Sequence, residues 1–230
     1  MKQRFEAEQT ALSEQLTLRD GFDPAALQTC AGVDLAYWNE GETERAVCCI
    51  VVIDMNTHEV IEKKRFDGVI TVPYMPGFLA YRELPLIEKC MALLDSKPDI
   101  WFFDGNGCLH PRRMGSASQA SFLLDSCTPT VGVAKTYYRV NGAEYTDPDE
   151  QAGSFTEIIV DGEVRGRALR THEGVKPVFV SAGNNITLDT AMRLTIALTD
   201  KESHIPIPTR LADLETHVAR EELRNGVHQD

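Results

Sequence analysis

The run WFFD at 101–104 constrains this chain more than any other stretch. A strand that buries its aromatic side chains should not end on a lone carboxylate, because an unpaired buried charge is costly. Whatever surrounds Asp104 has to compensate its charge. The run CAGVD at 30–34 has the same form, a short apolar stretch carried into Asp34.

The order of elements brings these two aspartates together if the strands that carry them are neighbours. Cys30–Trp38, Arg45–Asp54 (RAVCCIVVID) and Glu59–Asp67 read as strands, the second buried and rich in β-branched residues, the third edge-like. The loops NEGETE and MNTH between them suit hairpins. A helix through Leu94 follows, with Leu79, Leu86, Ile87, Cys90, Met91 and Leu94 at helical spacing and Pro85 implying a late start or a kink near Glu83. Then come strand Asp99–Asp104, a helix over 115–125, strand Thr130–Ala134, a hairpin over 155–171 turning at Asp161-Gly162, and strand Pro177–Ser181. Helices are expected over 3–19, 187–199 and 211–224. Three antiparallel strands followed by parallel strands, flanked by helices, make a mixed α/β sheet, expected as one domain over 1–230. If the first and fourth strands are parallel neighbours, ~4.8 Å apart, Asp34 and Asp104 meet at their carboxyl ends.

Composition narrows the function. No apolar stretch is long enough for a transmembrane helix, and MKQRFEAEQ lacks the apolar core of a signal peptide, so a cytoplasmic protein is expected. The six cysteines form no CxxC pair and read as reduced, buried thiols. A net charge of −12 argues against coating nucleic acid by bulk electrostatics. The cations are bunched, however, at Lys63-Lys64-Arg65, Arg112-Arg113, Lys135 with Arg139, and Arg165, Arg167 and Arg170. An acidic body with basic ridges can grip a phosphate backbone if a divalent metal neutralises the acidic pocket.

Asp34 and Asp104 suit a hard oxygen site for Mg²⁺. Either alone reads as a loop cap; the pair on adjacent strands reads as a metal site. Glu83 sits on the helix preceding the Asp104 strand, which makes it a candidate third ligand against the plainer reading of a surface glutamate. His110, in a glycine-bearing loop, is either satisfied by backbone or able to exchange a proton near neutral pH. Arg112 and Arg113 beside it favour a phosphate. Lys135 ends the strand TVGVAK, next to the Asp104 strand, within reach of a scissile phosphate or its attacking water. In VPYMPG the two prolines stiffen a turn that carries Tyr74 and Met75 at its tip. Such a rigid tip either folds back on the core or unstacks a base as an apolar wedge.

These residues together resemble the endonuclease V family. The likeness rests on CAGVD (30–34), VPYMPGFLAYRE (72–83), FFDGNGCLHPRRMG (102–115), TVGVAK (130–135) and IPIPTRLAD (205–213), and runs over roughly residues 5 to 215. It implies a ribonuclease-H-like fold and Mg²⁺-dependent cleavage, with Mn²⁺ able to substitute. The bond cut is the second phosphodiester 3′ to inosine, in DNA or RNA, leaving 3′-hydroxyl and 5′-phosphate ends. By motif position it implies Asp34, Glu83 and Asp104 as metal carboxylates, with Asp213 supporting the metal from behind. It likewise implies His110 and Lys135 around the scissile phosphate, Pro73-Tyr74-Met75-Pro76 as the strand-separating wedge, and Gly77, Leu79 and Gly105 as the pocket for the flipped base.

The chain departs from the family's commoner residues at Asn106, at AKT (134–136) and at GNN (183–185), which leaves the preference between DNA and RNA open. Two other functions remain in view: a non-cleaving reader of inosine, and a ribonuclease-H-like nuclease of another specificity. A monomer is expected, since no dimerisation segment stands out.

Overall fold

The structure is a computed structural model that describes residues 1–125 and 127–226; residue 126 and residues 227–230 of the expected domain lie outside the described residues. Among the described residues, eight strands form one sheet in the order β3-β2-β1-β4-β5-β8-β7-β6. Strands β1 (Thr29–Glu40), β2 (Thr43–Asp54) and β3 (Val60–Val69) form the antiparallel meander, with turns as short as Gly41-Glu42. Strand β4 (Ile100–Phe103) lies parallel to β1 with Val33 opposite Phe103, and β5 (Thr130–Ala134) lies parallel to β4. Beyond β5 the sheet is antiparallel: β8 (Val178–Asn184) pairs with β5, and the hairpin β6 (Phe155–Val160) and β7 (Glu163–Leu169) completes the edge. Its turn is at Asp161-Gly162, both with positive φ, the geometry that matches strand twist.

The period of two along the central strands separates two cores. Cys30, Val51, Ile53, Ile100, Phe102, Val131 and Val133 face helices α4 (Leu188–Ala197) and α5 (Ile207–Arg224). Ala31, Val33, Ile50, Val52, Trp101 and Phe103 face α2 (Leu79–Met91) and α3 (Ser116–Ala120). Strands covered on both faces have to be apolar throughout, which is why RAVCCIVVID does not alternate.

Four helices differ from expectation. The first, α1, spans only Lys2–Ser13, because the chain beyond it is drawn to β8: Thr17 N donates to Asn184 Oδ1 at 2.8 Å and Asn185 N to Thr17 O at 2.7 Å. The second begins at Leu79 and runs through Pro85. The third is a short helix followed by a 3₁₀ turn, Ser121–Leu123. The last starts four residues early, at Ile207, with Pro208 in the first turn, where the missing N–H costs nothing. Five cysteines are buried free thiols, and Cys127 is exposed. No helix among the described residues is long and apolar enough to cross a membrane.

Candidate active site

Strand parity aims three side chains at one place. Asp34 continues the Cys30–Gly32 face of β1, Asp104 the Ile100–Phe102 face of β4, and Lys135 the Val131–Val133 face of β5, all toward α5. Helix α5 adds Asp213. The Lys135 ammonium lies 2.7 Å from Asp104 Oδ2, 3.2 Å from Asp213 Oδ1 and 3.9 Å from Asp34 Oδ2. The four groups are half-buried, so the lysine neutralises charges that water reaches poorly. Asp34 and Asp213 also share a hydrogen bond. His217, one turn along α5, approaches Asp213 at 3.6 Å.

Glu83 enters from the other side of the sheet and is buried. It accepts hydrogen bonds from the Tyr37 hydroxyl at 2.7 Å and from Ser116 Oγ at 3.4 Å. Tyr37 is held in turn by Arg82, whose guanidinium lies 4.7 Å from its ring centroid and donates to Val72 O and to Glu44.

The electrostatics record a surplus of buried negative charge. Burial, then the Asp104 charge and the Asp213 bond, push Asp34 up to about 8. Burial pushes Glu83 up to about 7, against the bonds from Tyr37 and Ser116. Burial also raises Asp104, with Lys135 pulling the other way. At Asp213 burial is outweighed by Asp34 and Lys135, and its carboxyl lies below the ordinary value. As the side chains stand, no group of three His, Cys, Asp or Glu among the described residues is arranged to hold a metal. Lys135 fills the space between the aspartates, and Glu83 is turned to Tyr37.

Beside this cluster lies a cleft of ≈ 340 Å³, lined by Tyr74, Gly77, Leu79, Gly105, Asn106, His110, Met114, Ser116, Tyr138 and neighbours. The structure therefore brings together Tyr74, Gly77, Leu79, Gly105 and His110. Tyr74 is 64% exposed at the tip of its turn, flanked by exposed Pro73 and Pro76, with Met75 partly covered; the turn does not fold back on the core. Ser116 lines the cleft and touches Glu83.

Three of the expected site residues are engaged within the protein. His110 is buried with both ring nitrogens engaged: Nε2 donates to Gly77 O at 2.9 Å, and Nδ1 accepts from the backbone N–H groups of Arg112 and Met114, each at 3.2 Å. Burial holds it down to about 4, so it is a neutral clasp between Gly77 and the 110–114 loop. Arg112 points inward as well, donating to Gln9 Oε1 at 2.7 Å and lying 4.6 Å from the Phe78 ring centroid, and Arg113 pairs with Glu163. Neither arginine presents a free fork to a phosphate. Tyr37, Ser116, Tyr138 and Gln9 are the contributors that the sequence did not reveal. Period-two reading from Val33 could have placed Tyr37 on the Glu83 side; nothing in the pattern of α1 marks Gln9.

Comparisons with known proteins place the chain in a family. Residues 10–214 match the family model described as Endonuclease V. Endonuclease V of Bacillus subtilis is 50% identical over 219 residues, which are 95% of this chain and 91% of the relative. A crystal structure of the Bacillus subtilis protein superposes with a TM-score of 0.93 at 48% identity, covering 98% of this chain and 94% of that one. Endonuclease V of Ciona intestinalis, solved in complex with a 24mer DNA containing an inosine followed by a ribo-adenosine, superposes with a TM-score of 0.81 at 25% identity, covering 96% and 97%. The mixed sheet is accordingly of the ribonuclease-H-like nuclease type. Sequence, fold and the acidic end of the parallel strands lead to one conclusion: the chain belongs to the endonuclease V family of nucleases.

Proposed function

We propose that this chain is a metal-dependent endonuclease that extracts an inosine base from DNA or RNA and hydrolyses the second phosphodiester bond 3′ to it. The observation that carries this reading is the adjacency of the four-group charge cluster and the glycine-walled cleft, which meet where Gly105 follows Asp104 and Thr136 follows Lys135.

The donor set fits a hard divalent cation. Asp34, Asp104 and Glu83 would hold it and Asp213 would support it; Mg²⁺ is the expected ion, with Mn²⁺ able to substitute. Burial that keeps Asp34 and Glu83 protonated near neutrality is the burden such a cation removes. When bound it supplies an activated water and neutralises charge at the phosphate.

The chain's own residues do the rest. Tyr74, held at a two-proline tip, replaces the extruded base in the stack, and the cleft past Gly77 receives the purine. Flipping costs a few kcal/mol, less for a mispaired base, which favours a deaminated one. Lys135, released from Asp104, lies where it offsets the charge that develops on the scissile phosphate. Tyr37 and Ser116 fix the resting place of Glu83, from which its carboxylate would turn to the cation.

The test is nicking of an inosine oligonucleotide with Mg²⁺ by the wild type and by Asp104→Ala. Nicking with 3′-hydroxyl and 5′-phosphate ends, lost in the variant, is expected; intact substrate at high enzyme concentration with either Mg²⁺ or Mn²⁺ would overturn the reading. Matched inosine DNA and RNA strands decide the preferred sugar. A second reading, a non-cleaving inosine reader, draws on Lys135 occupying the aspartates. Tight binding in EDTA with no turnover after metal is restored would favour it.

A further inference from the structure

The carbonyl oxygen of Gly77, where the Tyr74 turn meets the cleft, takes hydrogen bonds from three side chains. They are His110 Nε2 at 2.9 Å, Gln9 Nε2 at 3.2 Å and Arg112 Nη2 at 3.3 Å. Gln9 is the hub of this arrangement. Its Nε2 also reaches Met114 O at 3.3 Å and Gln119 Oε1 at 3.1 Å, and its Oε1 accepts from Arg112 Nε at 2.7 Å.

Gln9 is fully buried on a helix whose other buried residue is Phe5. Phe5 stacks on Tyr81 of α2 with ring centroids 3.8 Å apart, and the Tyr81 hydroxyl donates to Phe5 O. A sealed carboxamide persists only where its donors and acceptor are used. Here those bonds end on Gly77 and Met114 of the cleft wall, on Arg112, which also holds Gly77, and on Gln119 of α3. Gly77 has a left-handed φ of +80°, and its carbonyl direction would otherwise be free to turn.

We propose that Gln9 is a positioning residue for base capture. Helix α1, through Gln9, locks Gly77, Met114 and Arg112 so that the turn bearing Tyr74 and the cleft wall keep one relative placement. The inference rests on the inosine reading of the cleft, and it makes α1 part of the recognition apparatus.

The test uses the full chain carrying Gln9→Met, which keeps length and loses both polar atoms. The probes are a single-stranded oligonucleotide with one inosine and the same strand with adenosine. In EDTA, Kd for the inosine strand rises roughly tenfold while Kd for the adenosine strand stays put. With Mg²⁺, KM rises and kcat changes by less than about twofold. Amide exchange quickens over residues 72–80 and 108–116 and stays slow in β1. A lowered Tm with an unchanged ratio of the two Kd values would mean a merely structural glutamine and would overturn the proposal. If the wild type shows no preference for inosine, the functional reading fails instead, and unaltered exchange over 72–80 in the variant then overturns the positioning as well. Where Gln9→Met does not fold, Gln9→Asn, which keeps the amide but falls short of Gly77, is read by the same measurements.

Discussion

Asp104 ends a strand of buried aromatics and has the Lys135 ammonium 2.7 Å away. Two consequences follow from that pairing. Without metal, Asp104 opposes the approach of a phosphate and occupies the lysine that would attract it. Asp104→Asn is therefore expected to bind an inosine strand several-fold more tightly than the wild type in EDTA, and to be inactive once Mg²⁺ is added. Weaker metal-free binding by the variant, measured by anisotropy, would show that Lys135 is not withheld from the strand. His110 gives a pH dependence of its own. Its folded value near 4 lies below the ordinary 6.5, so the unfolded chain binds the proton first as pH falls. The stability due to the neutral ring is complete above pH 6.5 and is lost between 6.5 and 4, a contribution of roughly 3 kcal/mol. Melting curves of the wild type should fall more steeply over that range than those of His110→Gln, since other acid-sensitive groups are common to both.

Among the elements, α5 and the Tyr74 turn decide the site. Helix α5 crosses β1 so closely that a Cβ on Gly32 would lie 2.1 Å from the Pro208 carbonyl. Backbone cannot yield as a side chain can, so Gly32→Ala should push the start of α5 outward and carry Asp213 with it. A loss of ~1–3 kcal/mol in chemical denaturation, together with reduced cleavage, is expected; an unchanged midpoint would show that α5 is not seated there. The Tyr74 side chain is largely exposed at the tip of its turn. Tyr74→Ala should leave Tm within about 1 °C, as surface changes usually do, while cleavage of inosine in duplex falls more than in single strands. Equal rates on the two substrates would remove the wedge from the mechanism.

At the scale of the molecule, the basic ridges are already neutralised. Lys63 meets Glu215, Arg65 meets Glu222, Arg113 meets Glu163, Arg139 meets Glu144, and Arg167 meets Asp189 and Glu157. Arg170 is bound to three backbone carbonyls. With a net charge of −12 and its cations paired, the protein should bind single strands with a shallow salt dependence, a log–log slope of about −2. A slope near −5 would mean that several of these pairs open to the strand.

Strand patterning was legible from residues alone because it follows from local rules: a period of two, apolar runs where both faces are covered, and Asp-Gly at a hairpin turn. From that pattern come the first five strands and their sequence order; that β1 and β4 are parallel neighbours, which brings the ends carrying Asp34 and Asp104 side by side, was a condition that the tertiary structure met. The two-proline turn and the glycine-bearing loop were visible as motifs for the same reason. What the side chains at the site are bonded to was decided only by packing between distant segments. Lys135 reached the aspartates, His110 became a neutral clasp, Arg112 turned inward to Gln9, and the chain after Ser13 left its helix for the end of β8. Burial strengthens each such bond and penalises any group left without one, and burial is a property of the assembled molecule that no local stretch contains.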